Sequence, residues 1–212
     1  MIGTLIVIAK QPIAGRVKTR LAPPLSHRQA ARVALASLVD TLQAMALVPA
    51  WRHLLVLDGM PGGWLPAGWD VAPQRAGGLD QRLVDAFRQA DPTWPAVLVG
   101  MDTPQLRPEH VLAFKPDNYD ACLGLAEDGG YWGIGLRFPN RAAAVISGVP
   151  MSTTDTGAAQ LQRLTLAGMR TQLLVTLADV DTFSIACQVA AQAPHSRFAA
   201  LIRELAPLSV PG

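Results

Sequence analysis

Thr4-Leu5-Ile6-Val7-Ile8-Ala9-Lys10-Gln11-Pro12-Ile13-Ala14-Gly15-Arg16-Val17-Lys18-Thr19-Arg20-Leu21 joins an uninterrupted apolar run to a loop that carries four cations, a proline and a glycine. A short continuous apolar run predicts a buried strand, and in open α/β sheets the loop at the C-terminal end of such a strand borders the ligand crevice. In an extended chain Arg16, Lys18 and Arg20 stand two apart and share one face, with Val17 and Thr19 on the other. Three positive heads converging at a strand end suit a phosphate. A face charged only for solubility would mix its signs, yet no Asp or Glu precedes Asp40. The Walker A pattern fails because Val17, not Gly, precedes Lys18-Thr19, and the glycine-rich dinucleotide fingerprint is missing as well.

Working outward, Ser26-His27-Arg28-Gln29 has the form of a capping box, and Ala/Leu/Val spacing carries a helix from it to Leu47, stopped by Pro49. Residues 53–57 predict a second strand, and the Gly/Pro-rich stretch 58–69 a loop whose Trp64 and Trp69 cover the core rather than stack on a base. A short strand near Val71 follows, then a helix over 79–90, a strand over 96–100 and a helix starting at Pro108. Residues 120–126 and 131–137 flank Glu127-Asp128-Gly129-Gly130, a hairpin with Asp-Gly in its turn. A helix over 156–169, a strand over 172–178 and helical segments over 182–206 complete the chain. Strands alternating with helices, plus one late hairpin, predict a single α/β domain over residues 1–212 with a mostly parallel mixed sheet.

Two acidic sites end predicted strands: Asp102 after 96–100, and Asp179 and Asp181 after 172–178. If both strands run parallel to the first, acids and cations surround one crevice. Mg²⁺ takes oxygen ligands, often one or two carboxylates with substrate phosphates making up the rest. The plain alternative for Asp102 is an Asx turn before Pro104.

The opening segment resembles, position by position, the A-K-x-P-x-x-G-x-V-K-T-R-L-x-P-x-L of a bacterial glycosyltransferase-like family of the DUF2064 type, in the GT-A nucleotide-diphospho-sugar transferase superfamily. Relatives include the 2-phospholactate and molybdenum-cofactor nucleotidyltransferases. Gly100-Met101-Asp102-Thr103-Pro104-Gln105-Leu106 is similar to the family's G-x-D-x-P-x-L, Asp181-Thr182 to the start of its D-x-D-T-P element, and Glu127-Asp128-Gly129-Gly130-Tyr131 to its E-D-G-G-Y. The resemblance implies a GT-A-like, Rossmann-like fold with helices on both sheet faces, and a Mg²⁺ or Mn²⁺ ion on Asp102 with Asp179 or Asp181. It also implies nucleotide contacts from Lys10, Gly15, Arg16, Lys18, Thr19, Arg20, Gly77, Gly78 and Arg82, and acceptor contacts from Glu127, Asp128, Gly129, Gly130 and Tyr131. Lys18, Arg20, Asp102 and Asp128 are the expected catalytic residues. The chain departs from the pattern at Gly78 and Asp80, which exchange the expected Asp and Gly, at Met151, where Trp is usual, and at Phe183-Ser184-Ile185-Ala186, where P-x-D-L is usual.

Composition narrows the function further. Half of the 212 residues are hydrophobic, 16% are charged and the net charge is +2, a packed globule rather than a general polyanion binder. No nucleic-acid partner is expected. Neither a bilayer-length apolar stretch nor a secretory signal at Met1-Ile2-Gly3 is present, so the expected location is the cytoplasm. Cys122 and Cys187 lack metal spacing and predict buried free thiols; the four His are scattered. The expected activity is Mg²⁺-dependent transfer from an NTP or nucleotide sugar to a small acceptor. Nucleotidyl and glycosyl transfer both stay open, with Asp128 or Glu127 as base in the second case. A nucleotide-binding module without turnover is the alternative. Acceptor and oligomeric state are not legible.

Overall fold

The computed structural model describes residues 3–49 and 51–206; Met1 and Ile2, at the predicted start, lie outside them. The apolar run forms β1 (Gly3–Lys10), in which Leu5, Ile6 and Val7 are fully enclosed. Each such side chain contributes roughly 1.5–3 kcal/mol of burial free energy. A seven-stranded sheet surrounds it in the order β3-β2-β1-β4-β6-β5-β7. Its other members are β2 (Trp51–Asp58), β3 (Asp70–Pro73), β4 (Ala96–Val99), β5 (Ala121–Leu125), β6 (Tyr131–Leu136) and β7 (Thr171–Leu173). Only β6 runs against its neighbours, pairing antiparallel with both β4 and β5. The predicted hairpin is therefore β5–β6, and its tip lies at the edge where β1 and β4 end.

Alternation along β1 splits the core in two. Leu5, Val7 and Ala9 face α1 (His27–Met45) and α3 (Pro108–Leu112), whereas Ile6 joins Leu54, Leu98 and Leu123 beneath α2 (Leu79–Phe87), α4 (Ala142–Ile146) and α5 (Thr156–Leu166). Helices thus cover both faces. On the outer side of α1, Ala30 and Val33 pack with α6 (Phe183–Gln192) and α7 (Arg197–Leu205) in a third cluster that includes Leu21 and Val180. The Ser26 capping box forms as predicted, with Ser26 N–H donating to Gln29 and Gln29 N–H to Ser26 Oγ. Trp69 is buried, with Trp64 packed against the same cluster. Among the described residues no helix is long and apolar enough to cross a membrane.

The structure corrects several details of the sequence reading. α1 stops at Met45, two residues short of the predicted Leu47. α4 and two 3-10 turns, Thr19–Leu21 and Pro139–Arg141, carry no periodicity long enough to predict them. Cys122 is a buried free thiol, whereas Cys187 is free but only partly buried. The predicted strand over 172–178 shrinks to β7, followed by one bridge at Leu177. Its register explains why: Leu123 pairs with Leu173, but Ala126 pairs with Leu177, so one extra residue enters the outer strand. Such an insertion breaks a ladder locally. Trp132, seated where a side chain on Gly124 would collide with it, donates its indole N–H to Val175 O at 2.9 Å within the interrupted stretch.

Candidate functional site

β1, β2, β3 and β4 run in one direction, so the loops leaving Lys10, Asp58, Pro73 and Val99 share an edge of the sheet. The strand order turns back between β1 and β4, the topological switch point at which open α/β sheets bind ligands. The basic loop and the Asp102 loop stand on either side of it.

Their meeting differs from the extended picture. Lys18 has φ 49° and ψ 38°, a left-handed backbone, and Thr19–Leu21 winds into a 3-10 turn. Alternation by two therefore fails, and the three basic heads do not line up on one face. Buried Val17 and Leu21 anchor the segment from below, while Arg16, Thr19 and Arg20 stay exposed. Lys18 instead turns inward. Its Nζ lies 2.8 Å from Asp102 Oδ1 and 3.6 Å from Asp181 Oδ1, and it donates to the carbonyl oxygen of Val180. The Lys18 side chain is 6% exposed, against 44% for Asp102 and 34% for Asp181. Arg20 Nη1 donates to Asp181 Oδ2 at 2.9 Å from outside. Cations and acids are thus brought together, with the ammonium among the oxygens.

The acid loops are braced by residues that the sequence reading did not single out. Ser37 on α1 donates to Met101 O at 2.6 Å, and Val180 N–H donates to Asp102 O at 3.0 Å. Buried Gln105 donates to Ala178 O at 2.7 Å, and buried Thr103 donates to Asp179 Oδ1 at 2.7 Å. Burial pushes the Asp179 carboxyl up to about 6; nearby Asp102 and Asp128 push the same way, and the Thr103 bond and Lys18 oppose them. Asp179 turns to Thr103, while Asp181 shares Lys18 with Asp102. Thr103 and Gln105 lie inside the quoted Asp102 motif, which was the available signal; nothing marked Ser37.

At the same edge Gly77, at φ 129°, and Gly78 lead into α2. Arg82 Nη1 reaches Gln74 Oε1 at 3.4 Å, Gln74 donates to Ala9 O at 2.6 Å, and Arg82 Nε is buried without a partner. Lys10 is exposed, its backbone N–H directed at Met101 Sδ; Gly15, at φ 77°, sits in the open bend before Arg16. Asp80 Oδ2 accepts from Gly148 N–H at 2.9 Å, and that bond holds its carboxyl below the ordinary range.

The hairpin tip supplies the other wall. Glu127 and Asp128 are exposed, with Asp128 Oδ1 accepting from Gly130 N–H at 2.9 Å in an Asx turn. Gly129 has φ 88°, and a Cβ there would strike the carbonyl oxygen of Thr154, so only glycine fits the turn against α5. Tyr131 is the exception among these five: its hydroxyl faces inward, 3.5 Å from Gln160 Oε1 and 3.8 Å from Met151 Sδ, and burial raises its pKa. It lines the inner side of the tip instead of its open surface.

The chain's likenesses agree with this architecture. The family model described as "Uncharacterized protein conserved in bacteria (DUF2064)" matches residues 28–153. A protein of Desulfovibrio desulfuricans G20, provisionally named a nucleotide-diphospho-sugar transferase, is 26% identical, with 97% of this chain and 96% of that one covered and a TM-score of 0.86. CMP:2-keto-3-deoxy-manno-octonic acid synthetase complexed with CTP is 13% identical over 90% of this chain and 97% of that one, TM-score 0.54. The 4-diphosphocytidyl-2C-methyl-D-erythritol synthase of Anaerococcus prevotii DSM 20548 is 9% identical over 96% of each, TM-score 0.54. The last two likenesses concern the fold alone. No curated protein matches the sequence.

Proposed function

The chain belongs to the bacterial DUF2064 family, whose model spans more than half of it, and from that premise we propose that it is a nucleotide-using transferase acting on an NTP or nucleotide sugar. One observation carries the reading: at the switch point of the sheet, the basic loop and two acid loops meet through Lys18, Asp102 and Asp181. The 26% identical relative, named for nucleotide-diphospho-sugar transfer, supports the class, and the fold is shared with a synthetase solved in complex with CTP.

The donor set fits a divalent cation. Asp102 and Asp181 already direct hard carboxylate oxygens at one positive centre, the Lys18 ammonium. Among the described residues no cage of three or more His, Cys, Asp or Glu side chains forms, so two carboxylates are the protein's share and phosphate or water would complete it. Bound there, Mg²⁺ or Mn²⁺ would neutralise phosphate charge. The chain's own residues do the remainder. Arg20 and Arg16, exposed at the rim, hold phosphate oxygens; Ser37, Thr103 and Gln105 keep the acid loops in position. Gly77, Gly78 and Arg82 border the nucleoside side, and Glu127 to Gly130 the acceptor side, with Tyr131 behind them. Positioning and charge neutralisation are what phosphoryl chemistry asks of an enzyme.

Thermal shift against a panel of NTPs and nucleotide sugars, with and without Mg²⁺, tests the class, and stabilisation by none of them would sink it. Pyrophosphate release selects nucleotidyl transfer; nucleoside diphosphate release selects glycosyl transfer, the chemistry that the relative's name favours. A binding module without turnover is the second reading, favoured by the carboxylate of Asp80 being bonded to Gly148 in place of the expected glycine. Turnover abolished by Asp102→Ala excludes it.

A further inference from the structure

Lys18 is placed where a cation would sit, and that placement has its own consequence. Resting on the reading of this crevice as a phosphate and cation site, we propose that Lys18 is the resident counterion of Asp102 and Asp181, displaced when a divalent cation enters, so that cation and phosphate load the site together.

The coordination is that of a bound cation. The ammonium touches a carboxylate oxygen from each of two loops and a backbone carbonyl from the second, in a pocket that leaves the side chain 6% exposed. An ammonium and a metal ion cannot share these oxygens at contact distance, because like charges so close repel strongly. Entry of one requires exit of the other. The backbone favours movement of the side chain over movement of the loop: Val17 and Leu21, on either side, are buried in separate clusters and pin it. Lys18 itself keeps a left-handed conformation that an L-residue adopts only when its surroundings hold it there. The long flexible stem of lysine permits the swing.

Once displaced, the ammonium needs a negative partner, and the phosphate of an arriving nucleotide is one. A divalent cation alone must expel Lys18 into water, whereas a cation arriving with phosphate gives it a new ion pair. The two ligands are therefore positively coupled, and by linkage the coupling is reciprocal. Lys18 acts in this scheme as a guard that keeps the acids neutralised between loadings.

The test measures Mn²⁺ binding to the full chain by electron paramagnetic resonance, with and without each of ATP, CTP, GTP and UTP. It compares wild type with Lys18→Met and, should that variant fold poorly, Lys18→Gln. Without nucleotide, the variants are expected to bind Mn²⁺ at least tenfold more tightly than wild type, and the gain on adding nucleotide is expected to shrink. Equal or weaker affinity in the variants, or no Mn²⁺ binding by them, overturns the proposal. Wild type supplies an independent readout, since the chain has only three lysines, Lys10, Lys18 and Lys115. The Lys18 ammonium resonance should be observable and slowly exchanging in the free protein and should move with Mg²⁺ and nucleotide together; a resonance indifferent to both overturns the proposal. The two readings fail separately. Nucleotides that stabilise the protein while Mn²⁺ affinity ignores Lys18 sink only the counterion; tighter Mn²⁺ binding by the variants without any nucleotide effect sinks the transferase and the joint loading, and leaves Lys18 as a resident counterion alone.

Discussion

Replacing Lys18 by Met should cost the fold about 2 kcal/mol. At an effective dielectric constant near 20, unit charges at 2.8 and 3.6 Å attract by roughly 6 and 5 kcal/mol. Much of this gross attraction is offset by the desolvation of an ammonium whose side chain is 6% exposed. Asp102 and Asp181, at 44% and 34%, are open enough to be rehydrated when the lysine leaves, and Arg20 still reaches Asp181. The loss therefore falls below the ~3–5 kcal/mol that stranding a fully enclosed charge costs. In a chain of this length it lowers Tm by about 4–8 °C. A double-mutant cycle with Asp102→Asn, read by urea unfolding, isolates the pair and should return a coupling of about 1–2 kcal/mol. High ionic strength should weaken it only in part, because the lysine is enclosed while Asp102 faces solvent. Additivity of the two substitutions within ~0.5 kcal/mol, or a Lys18→Met protein as stable as wild type, would refute the reasoning.

Three further outcomes follow from the same geometry. With its carboxyl raised to about 6, folded Asp179 keeps a proton that the unfolded chain releases near pH 3.9, so its contribution to stability falls as pH rises through that window and levels off above it. Asp179→Asn, whose amide oxygen can still accept from Thr103, should therefore gain on wild type by up to ~3 kcal/mol between pH 4 and pH 7.5, compared by denaturant midpoints; parallel pH profiles would contradict it. Gly129→Ala should lose about 2–3 kcal/mol, since φ 88° and the Thr154 carbonyl both exclude a Cβ, and thermal melts check it. Arg20→Gln should leave Tm nearly unchanged, its partner pair being open to solvent, yet weaken nucleotide binding about tenfold or more by calorimetry.

The legible parts of this fold are those governed by local rules. The run into Ala9 had to be a buried strand, Ser26 and Gln29 had to cap a helix, and Asp128-Gly129 had to turn a hairpin, each from neighbours in the chain. Convergence of the basic loop with Asp102 and Asp181 was also readable, because parallel strands place their exits on one edge. What escaped depends on partners distant in sequence. Lys18 abandons the extended alternation because Asp102, Asp181 and Val180, more than eighty residues away, offer it oxygens. The strand predicted over 172–178 stops early because Trp132 draws on the Val175 carbonyl, and an apolar run carries no mark of an extra residue in its register. Likewise, Asp179 bonds Thr103 while Asp181 meets Lys18, partners distant in sequence that spacing cannot reveal.

The bond between Asp80 and Gly148 ties one departure from the family pattern to the loop that leads to another, Met151. Gly148 stands three residues before Met151, whose sulfur faces Tyr131, and the Asp80 charge is itself felt at the Tyr131 hydroxyl. Asp80 is thus a staple from the first turn of α2 to the loop behind the hairpin tip. Across family members the residues at these positions should covary: an acid at the second position of α2 should travel with a non-tryptophan at 151. A graft of tryptophan at 151 alone would then leave the loop pulled to the wrong place, while the paired exchange would let it settle.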